Sequence, residues 1–313
     1  MLSDEPLPGL APAGSDSTGS VRVHLRALPL HAESELRRAP EWRSAPSDGG
    51  GVPLVRVHHL PGAYHLGYAD GTRFVVDEGG SEVWAWWPDG TTLDSAATYL
   101  LGPVFGWMLR LRGVLALHAS AAVLDGRAVA LAGVAGTGKS TAAAALARAG
   151  WEVLSDDAAA LDERGGGFRV LPAFPRVRLW PDAVEALFGG ADALPRICEG
   201  WEKRYLPLGG GEARFAEGGA PLAALFLLDD PRPDGAIEIV PVPPPEALMA
   251  LVPHTYAGSL LDAAMRGREL EALARLVAAV PVRLLRPPDT AARMMEIAPV
   301  LAAELAALGS PEE

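Results

Sequence analysis

The alternation of apolar and polar residues divides the chain into a front part of short strands and a longer part of alternating strands and helices. Strand-like runs in the front part are separated by residue pairs that are typical of hairpin turns: Pro61-Gly62, Asp70-Gly71 and Gly79-Gly80. We therefore expect a small antiparallel sheet. Its predicted strands cover residues 21–30, 54–59, 64–68, 73–76 and 82–87.

Three further segments complete the front part. Residues 1–20 are rich in Pro, Gly, Ser and acidic side chains, which predicts a flexible tail, and residues 45–53 predict a loop. Residues 91–112 predict a buried helix, because apolar positions run nearly all round it, with Thr92 or Asp94 as its N-cap. Four tryptophans are expected to pack in the core, with a ligand-stacking role as the alternative: Trp84, Trp86, Trp87 and Trp107.

From residue 114 onward the pattern alternates between strands and helices, which is typical of an α/β core. We predict strands over 114–124, 127–131, 151–154 and 222–228. We predict helices over 140–149, 246–280 and 289–308. The expected architecture is a tail (1–20), a small antiparallel β domain with one helix (21–112) and an α/β domain with a mixed sheet (113–310).

Composition and charge argue against several classes of partner. Lys and Arg number 27 and Asp and Glu number 39, and the net charge of −12 argues against nucleic acid and anionic membranes as partners. The single cysteine, Cys198, permits no intrachain disulfide and fits a reducing compartment. No signal peptide is visible, and the apolar stretch 99–109 is too short to span a membrane. These features predict a cytoplasmic protein.

One motif carries specific chemistry, because the sequence GVAGTGKS fits the pattern G-x-x-x-x-G-K-[ST] at every required position. Small residues let the chain curl so that several N–H groups face a triphosphate, while the lysine reaches the β- and γ-phosphates and the serine hydroxyl ligates Mg²⁺. The motif predicts ATP and Mg²⁺ as cofactors. The residues expected to bind the nucleotide are Gly133, Val134, Ala135, Gly136, Thr137, Gly138, Lys139, Ser140 and Thr141.

Phosphoryl transfer also needs carboxylates, and two acidic pairs follow apolar strands. Asp156 and Asp157 come one helix after the motif, at the carboxyl end of a predicted strand, where α/β sheets bind ligands. Asp229 and Asp230 are the alternative, although Pro231 directly after them also suits a simple turn. We favour the first pair.

The stretch from His118 through Asp157 resembles the catalytic domain of the HPr kinase/phosphorylase-like family. The matching features are the triplet HAS that begins at His118, the loop GVAGTGKST and the segment WEVLSDDAAAL. The resemblance implies a P-loop kinase core in which Lys139, Asp156, Asp157 and His118 are catalytic. It implies that one aspartate is the base and the other a metal ligand. We assign Asp157 with Ser140 to the metal, although the order of the two aspartates stays open.

Other parts of the resemblance are weaker. Lys203 and Arg204 resemble a Lys-Arg segment of HPr-kinase-like proteins, which implies a clamp for phosphate or substrate, while a solvated charge run is the alternative. A buried, hydrogen-bonded histidine is the alternative for His118. The Glu-x-Arg-Gly-x-Gly segment of HPr kinase/phosphorylase is not visible, and the front half does not resemble that enzyme. Neither HPr as substrate nor the phosphorylase activity is therefore expected.

The leading hypothesis is an ATP-dependent kinase that phosphorylates a Ser or Thr hydroxyl of a peptide or protein, such as a precursor peptide. The small β domain would then suit a docking surface. A small-molecule kinase and a nucleotide-dependent switch or assembly ATPase are the alternatives. The sequence leaves open the acceptor, the choice of ATP over GTP, and whether the chain forms a homo-oligomer.

Overall fold

The computed structural model of the chain describes residues 1–10, 20–45, 55–198, 201–209, 211 and 213–309. Two compact units are distinguished within the chain. The first consists of Met1–Val114 and Ala257–Met265, and the second of Leu115–Tyr256 and Arg266–Glu313. The sequence did not predict that residues 257–265 belong to the first unit, because they follow most of the second unit along the chain.

The described part of the first unit is built on one seven-stranded sheet with the order β1-β2-β7-β6-β5-β4-β3. Strands β3 to β7 pair antiparallel, as the turn signals predict, whereas β1 and β2 add to the β7 edge in parallel. The elements are β1 Leu2–Ser3, β2 Arg22–Leu25, α1 Ala32–Leu36, β3 Glu41–Ala45, β4 Val55–Leu60, β5 Ala63–Tyr68, β6 Arg73–Asp77, β7 Glu82–Trp86, α2 Leu93–Tyr99 and α3 Phe105–Leu111.

The predicted helix over 91–112 is two helices, α2 and α3, joined by a π-helical turn at Leu100–Val104. Pro103 lies inside this turn, and a proline within a helix removes one backbone hydrogen bond, which accounts for the break. Thr92 is the N-cap, since its side chain accepts a hydrogen bond from the Ser95 N–H at 3.2 Å.

The start of the chain departs from the tail predicted for 1–20. Leu2–Ser3 pairs with β2. Leu7 is buried in the core of the first unit, because an apolar side chain is stabilised by packing there. Residues 11–19 lie outside the described residues. The predicted loop at 45–53 also lies outside them, except for Ala45 at the end of β3.

Trp107 at the centre of the first core gives a prediction about stability. Its side chain is 0% exposed, and its ring lies 5.3 Å from that of Tyr64, edge to face. We expect Trp107→Ala to lower the free energy of unfolding by about 3–5 kcal/mol, measured by urea denaturation. The exposed Leu30 is the control, and Leu30→Ala should change that free energy by less than about 0.5 kcal/mol. Equal losses in the two variants would contradict this packing.

The described part of the second unit is built around a ten-stranded mixed sheet with the order β16-β11-β9-β10-β17-β13-β12-β8, extended by β19 on β17 and β18 on β19. The elements are β8 Leu115–Leu117, β9 Ala119–Leu124, β10 Arg127–Ala132, α4 Lys139–Arg148, β11 Glu152–Ser155, β12 Ala159–Arg164, β13 Gly167–Val170, β14 Arg176–Leu179, α5 Pro181–Phe188, β15 Arg204–Pro207, β16 Arg214–Phe215, β17 Ala220–Leu228, β18 Glu238–Val242, α6 Pro244–Leu251, α7 Ala263–Ala279 (whose first three residues belong to the first unit), β19 Val282–Arg286 and α8 Ile297–Ala307.

Strand β10 lies at the centre of this sheet, antiparallel to β9 and parallel to β17. Its residues from Ala128 to Ala132 are fully buried and contribute to hydrophobic clusters on both faces of the sheet. Helix α4 packs against the sheet with six buried residues, 142–147, of which all but Leu146 are alanine. Small side chains allow the helix to lie close to the strands. The fold is of the α/β class with mixed sheets.

The strand predicted over 114–124 is divided at His118 into β8 and β9. Strand β8 pairs with β12, whereas β9 pairs with β10 and β11. The main-chain N–H of His118 donates to the carbonyl oxygen of His254 at 2.7 Å, so the ladder is interrupted at this residue. Apolar residues on both sides of His118 suit one strand, and the partner that interrupts the ladder, His254, is distant in sequence, so the sequence did not indicate the break.

The helices predicted near the end of the chain are also divided. Residues 246–280 contain part of α6, 3₁₀ turns at Val252–His254 and Gly258–Leu260, and all of α7. Residues 289–308 contain a 3₁₀ turn at Ala291–Glu296 and then α8. Among the described residues, no helix has the length and apolar character needed to cross a membrane.

Candidate active site

A glycine-rich loop joins the central strand β10 to helix α4. Gly136 and Gly138 have φ angles of 89° and 91°, which is the left-handed region that glycine tolerates best. Gly133 is required for a different reason. A Cβ at this position would lie 2.7 Å from Oγ1 of Thr137 and 3.2 Å from the carbonyl oxygen of Leu228. Both the bend and its close approach to the end of β17 therefore depend on glycine.

The exposed part of the loop is Val134, Ala135 and Gly136. Helix α4 follows Gly138, and the first turn of any helix leaves its N–H groups without intrahelical acceptors. In this helix those groups belong to Lys139, and to Ser140 and Thr141, which are partly exposed. N–H groups at the start of a helix attract anions, and phosphates above all.

Lys139 lies against the inner side of this loop and is 7% exposed. Its ammonium group donates to the carbonyl oxygens of Gly133 at 2.7 Å and Val134 at 2.8 Å. Burial lowers the pKa of Lys139, the charges of Asp157 and Asp156 act against this decrease, and the charge of Lys203 adds to it. The structure thus places the charge of Lys139 within the field of both predicted carboxylates.

Asp156 is held by three hydrogen bonds. Its Oδ1 accepts from the hydroxyls of Ser140 at 2.8 Å and Ser120 at 2.9 Å, and its Oδ2 accepts from the main-chain N–H of Arg178 at 2.9 Å. The residue is 2% exposed. The carboxylate is therefore fixed in place and joins the start of α4 to β9 and β14.

Asp157 is arranged differently from its neighbour. Its backbone has a φ of 81°, and its side chain is 28% exposed. Nδ1 of His118 lies 3.3 Å from Oδ1 of Asp157 and 3.1 Å from its carbonyl oxygen, while the hydroxyl of Tyr256 donates to Oδ2 at 3.3 Å. The left-handed backbone turns this carboxylate away from the bonds that hold Asp156.

The pKa of Asp157 is low. Burial alone would raise it, but the hydrogen bond from His118 and the positive charges of Arg178, His118 and Lys203 outweigh burial and lower the pKa to about 2. Asp157 is therefore ionised at neutral pH. A carboxylate that is ionised, partly exposed and held at both oxygens can accept a hydrogen bond from a hydroxyl.

His254 and Tyr256 complete the surroundings of His118, and no pattern in the sequence indicates either residue. The segment pairs with β8 through a bridge between Leu117 and Thr255, and the ring of Tyr256 lies 6.0 Å from that of His118. Burial, followed by the charges of Lys139 and His118, lowers the pKa of His254. The residues that make these contacts are far apart in sequence, since Tyr256 is 99 residues from Asp157.

The predicted Lys203-Arg204 clamp is divided between two environments. Lys203 lies over the ring of Trp180, 4.8 Å from its centroid, and its charge acts on Lys139 and Asp157. Arg204 is 4% exposed and donates to Asp192 and to the carbonyl oxygen of Glu202. Among the described residues, these contacts of Arg204 include neither the loop nor a predicted carboxylate.

The alternative acidic pair has other contacts. Oδ2 of Asp229 accepts from Nε of Arg286 at 3.2 Å, and the N–H of Asp229 donates to the carbonyl oxygen of Leu285 at 3.0 Å. Asp230 is exposed. Asp229 thus lies in an ion pair at the end of β17 and β19, whereas Asp156 contacts the loop helix directly.

The oxygen atoms beside the loop suit Mg²⁺. This ion prefers hard oxygen ligands and is usually held by one or two carboxylates together with phosphates and water. The hydroxyl of Ser140 and Oδ1 of Asp156 lie 2.8 Å apart. In the part of the chain that the structure describes, no group of three or more His, Cys, Asp or Glu side chains could hold a metal alone. Phosphate oxygens and water are the further ligands that Mg²⁺ usually takes.

The contact between His118 and Asp157 gives a prediction about titration. Removing the imidazole in His118→Ala removes a hydrogen bond and a positive charge from the ionised carboxyl, so the pKa of Asp157 should rise from about 2 towards 3.8. The carbon-13 shift of the Asp157 carboxyl, followed downwards from pH 7, measures this. At pH 4 the native carboxyl should remain ionised, whereas the variant should be partly protonated. Identical titrations would contradict the contact.

A glycine-rich loop, a lysine, a serine and two aspartates lie together in an α/β unit with a mixed sheet. No curated protein sequence matches the chain. A family model described as SynChlorMet cassette protein ScmC matches residues 97–185. The solved structure of the Hpr(Ser) kinase/phosphatase from Coxiella burnetii is similar at 16% identity and a TM-score of 0.35, covering 62% of this chain and 99% of that one. So low a TM-score supports no inference about activity.

Proposed function

We propose that the chain is an ATP-dependent kinase that transfers the γ-phosphoryl group to a Ser or Thr hydroxyl of a peptide or protein. One observation carries the proposal: the hydroxyl of Ser140, at the start of α4, donates to Asp156 at 2.8 Å. This bond joins the loop that suits a polyphosphate to the acidic pair that suits phosphoryl transfer. In kinases, catalysis consists mainly of positioning and of stabilising charge, which these groups supply.

In this proposal the loop and α4 bind the phosphates of ATP. The N–H groups of the loop and of the first helical turn donate to phosphate oxygens, and Lys139 neutralises charge on the transferring group. Lys139 reaches this position by giving up its hydrogen bonds to the carbonyls of Gly133 and Val134. Mg²⁺, held beside Ser140, would supply positive charge that offsets the charge of the phosphates.

The geometry favours Asp156 over Asp157 beside the metal, in contrast to our assignment from the sequence. Asp156 already lies within hydrogen-bond distance of Ser140, whereas the contacts of Asp157 are with His118 and Tyr256. We therefore assign Ser140 and Asp156 to Mg²⁺. The sequence could not separate the two aspartates because they are adjacent and of the same residue type.

Asp157 then acts on the acceptor. Its ionised, partly exposed carboxylate accepts a hydrogen bond from the target hydroxyl and takes its proton as the oxygen–phosphorus bond forms. A low pKa makes this group a weak base, so orientation of the hydroxyl is its main contribution. His118 and Tyr256 hold the two carboxylate oxygens in place.

Incubation with γ-labelled ATP, Mg²⁺ and a set of Ser- and Thr-containing peptides tests this function. We expect label on a peptide in amounts that increase with time, and no transfer when Mg²⁺ is removed with EDTA. Mass spectrometry of the labelled peptide should place the phosphate on a hydroxyl. Label that appears only as free phosphate, or only on small molecules, would contradict the proposal.

A further inference from the structure

A two-stranded ribbon beside Asp156 carries cations that the proposed transfer chemistry does not use. Strands β14 and β15 pair antiparallel, with Arg178 opposite Tyr205. Val177 and Leu179 are buried in the core of the second unit. Since side chains alternate along a strand, Arg176 and Arg178 lie on the opposite, partly exposed face of the ribbon.

Three cations on or next to this ribbon are stacked on aromatic rings. The guanidinium carbon of Arg176 lies 4.2 Å from the ring centroid of Tyr205, and that of Arg178 lies 5.2 Å from the centroid of Phe174. Lys203 stacks on Trp180, which is 54% exposed. Stacking fixes a guanidinium group while its in-plane N–H groups remain able to bind a carboxylate.

These three cations are partly exposed, and the side-chain contacts found for them are with aromatic rings. Among the described residues, the ion pairs with carboxylates involve other cations, such as Arg232, Arg286 and Arg293. The protein as a whole carries a net charge of −12. A local group of cations that lies outside these ion pairs therefore suits an anionic ligand.

The ribbon contacts the candidate active site at Arg178. The main-chain N–H of Arg178 is bound to Asp156, and the charges of Arg178 and Lys203 act on Asp157. Arg176 lies two residues before Arg178 in β14, about 7 Å from it. An extended peptide with its hydroxyl at Asp157 would place a side chain about two residues away within the reach of Arg176.

We propose that Arg176, Arg178 and Lys203 form a binding surface for acidic side chains that flank the target hydroxyl of a peptide acceptor. The inference rests on the proposed function for the position of the hydroxyl. Arg176 selects an acidic side chain about two residues from the target, while Arg178 and Lys203 bind carboxylates closer to it. An acceptor of this type would be repelled by most of the acidic surface, so the ribbon determines where it docks.

Binding of a peptide that cannot be phosphorylated tests the surface separately from transfer. The probes are three fluorescein-labelled nine-residue peptides with a central Ala, and with Asp, Asn or Lys at the second position on each side. Fluorescence anisotropy with the full chain measures their affinities. We expect the Asp peptide to bind about tenfold more tightly than the Asn peptide, an advantage that decreases with added salt.

Charge reversal at Arg176 makes the test specific. Arg176→Glu should abolish the preference for Asp and make the Lys peptide the tightest of the three. The control is Arg164→Glu, since Arg164 is 76% exposed on the β12–β13 hairpin, and it should leave the order unchanged. Equal binding of the Asp and Asn peptides to the native chain, or an unchanged order in Arg176→Glu, would overturn the proposal.

A transfer assay separates this inference from the proposed function. With a central Ser in place of Ala, Arg176→Glu should raise KM for the Asp peptide about tenfold and leave kcat unchanged, because Arg176 does not touch the reacting atoms. A fall in kcat without a change in KM would overturn the proposal. If no peptide is phosphorylated but the preference for Asp and its reversal persist, the binding surface stands and the kinase function fails.

Discussion

Lys139→Met is expected to reduce phosphoryl transfer by about 10³-fold or more. In the proposed function the ammonium group neutralises charge on the transferring phosphoryl group, and methionine keeps the length of the side chain while removing the charge. The rate of label transfer from γ-labelled ATP to a peptide under saturating ATP measures the effect. The loss should appear in kcat as well as in KM for ATP, because the charge on the phosphoryl group increases as transfer proceeds.

The matched control for this variant is Arg164→Met, which removes an exposed positive charge from the same unit. Its transfer rate should remain close to that of the native chain. Because Lys139 is 7% exposed, circular dichroism and thermal unfolding should accompany the assay, and methionine should preserve the fold. A folded Lys139→Met variant with native transfer rates would rule out the role of this lysine.

Asp157→Asn is expected to reduce kcat by about 10²–10⁴-fold, with ATP affinity almost unchanged. Asparagine has nearly the same shape but no negative charge, so it cannot accept the proton of the target hydroxyl. Asp157 does not contact the loop through a hydrogen bond, and its own hydrogen bonds are with His118 and Tyr256. Steady-state kinetics with a peptide acceptor and a separate ATP-binding titration distinguish the two effects.

Asp229→Asn provides the comparison, since it makes the same chemical change in the other acidic pair. Asp229 lies in an ion pair with Arg286, and we expect the variant to keep most of the transfer activity. If Asp229→Asn were inactive while Asp157→Asn kept its rate, the roles of the two pairs would have to be exchanged.

The part of the site that the sequence could predict is the part that is local. The bend between β10 and α4 needs glycine at particular positions, so residues 133–140 specify it without help from the rest of the chain. Strand β11 directly precedes Asp156, and a short apolar run before an acidic pair is visible in the sequence. The central strands β10, β11 and β17 lie close to where the apolar runs predict them.

Contacts between distant residues account for what the sequence did not show. Tyr256 reaches Asp157 only because the chain bridges β8 at Thr255, and no pattern near residue 256 indicates this. Arg178 contributes a main-chain N–H to Asp156, which any residue type except proline could donate. The sequence predicted that Arg204 and Lys203 act together on phosphate or substrate. In the structure Arg204 lies on the buried side of β15, as the alternation of side chains along a strand directs.

The central claim is that the terminal phosphates of ATP and both aspartates share one site. Titration of isotope-labelled protein with ATP and Mn²⁺ tests it most directly, since the paramagnetic ion broadens the resonances of nearby nuclei. We expect the strongest broadening at Ser140, Asp156 and Asp157, with Asp230 affected much less. Broadening centred on Asp229 and Asp230, or none at the first pair while ATP is bound, would contradict the account.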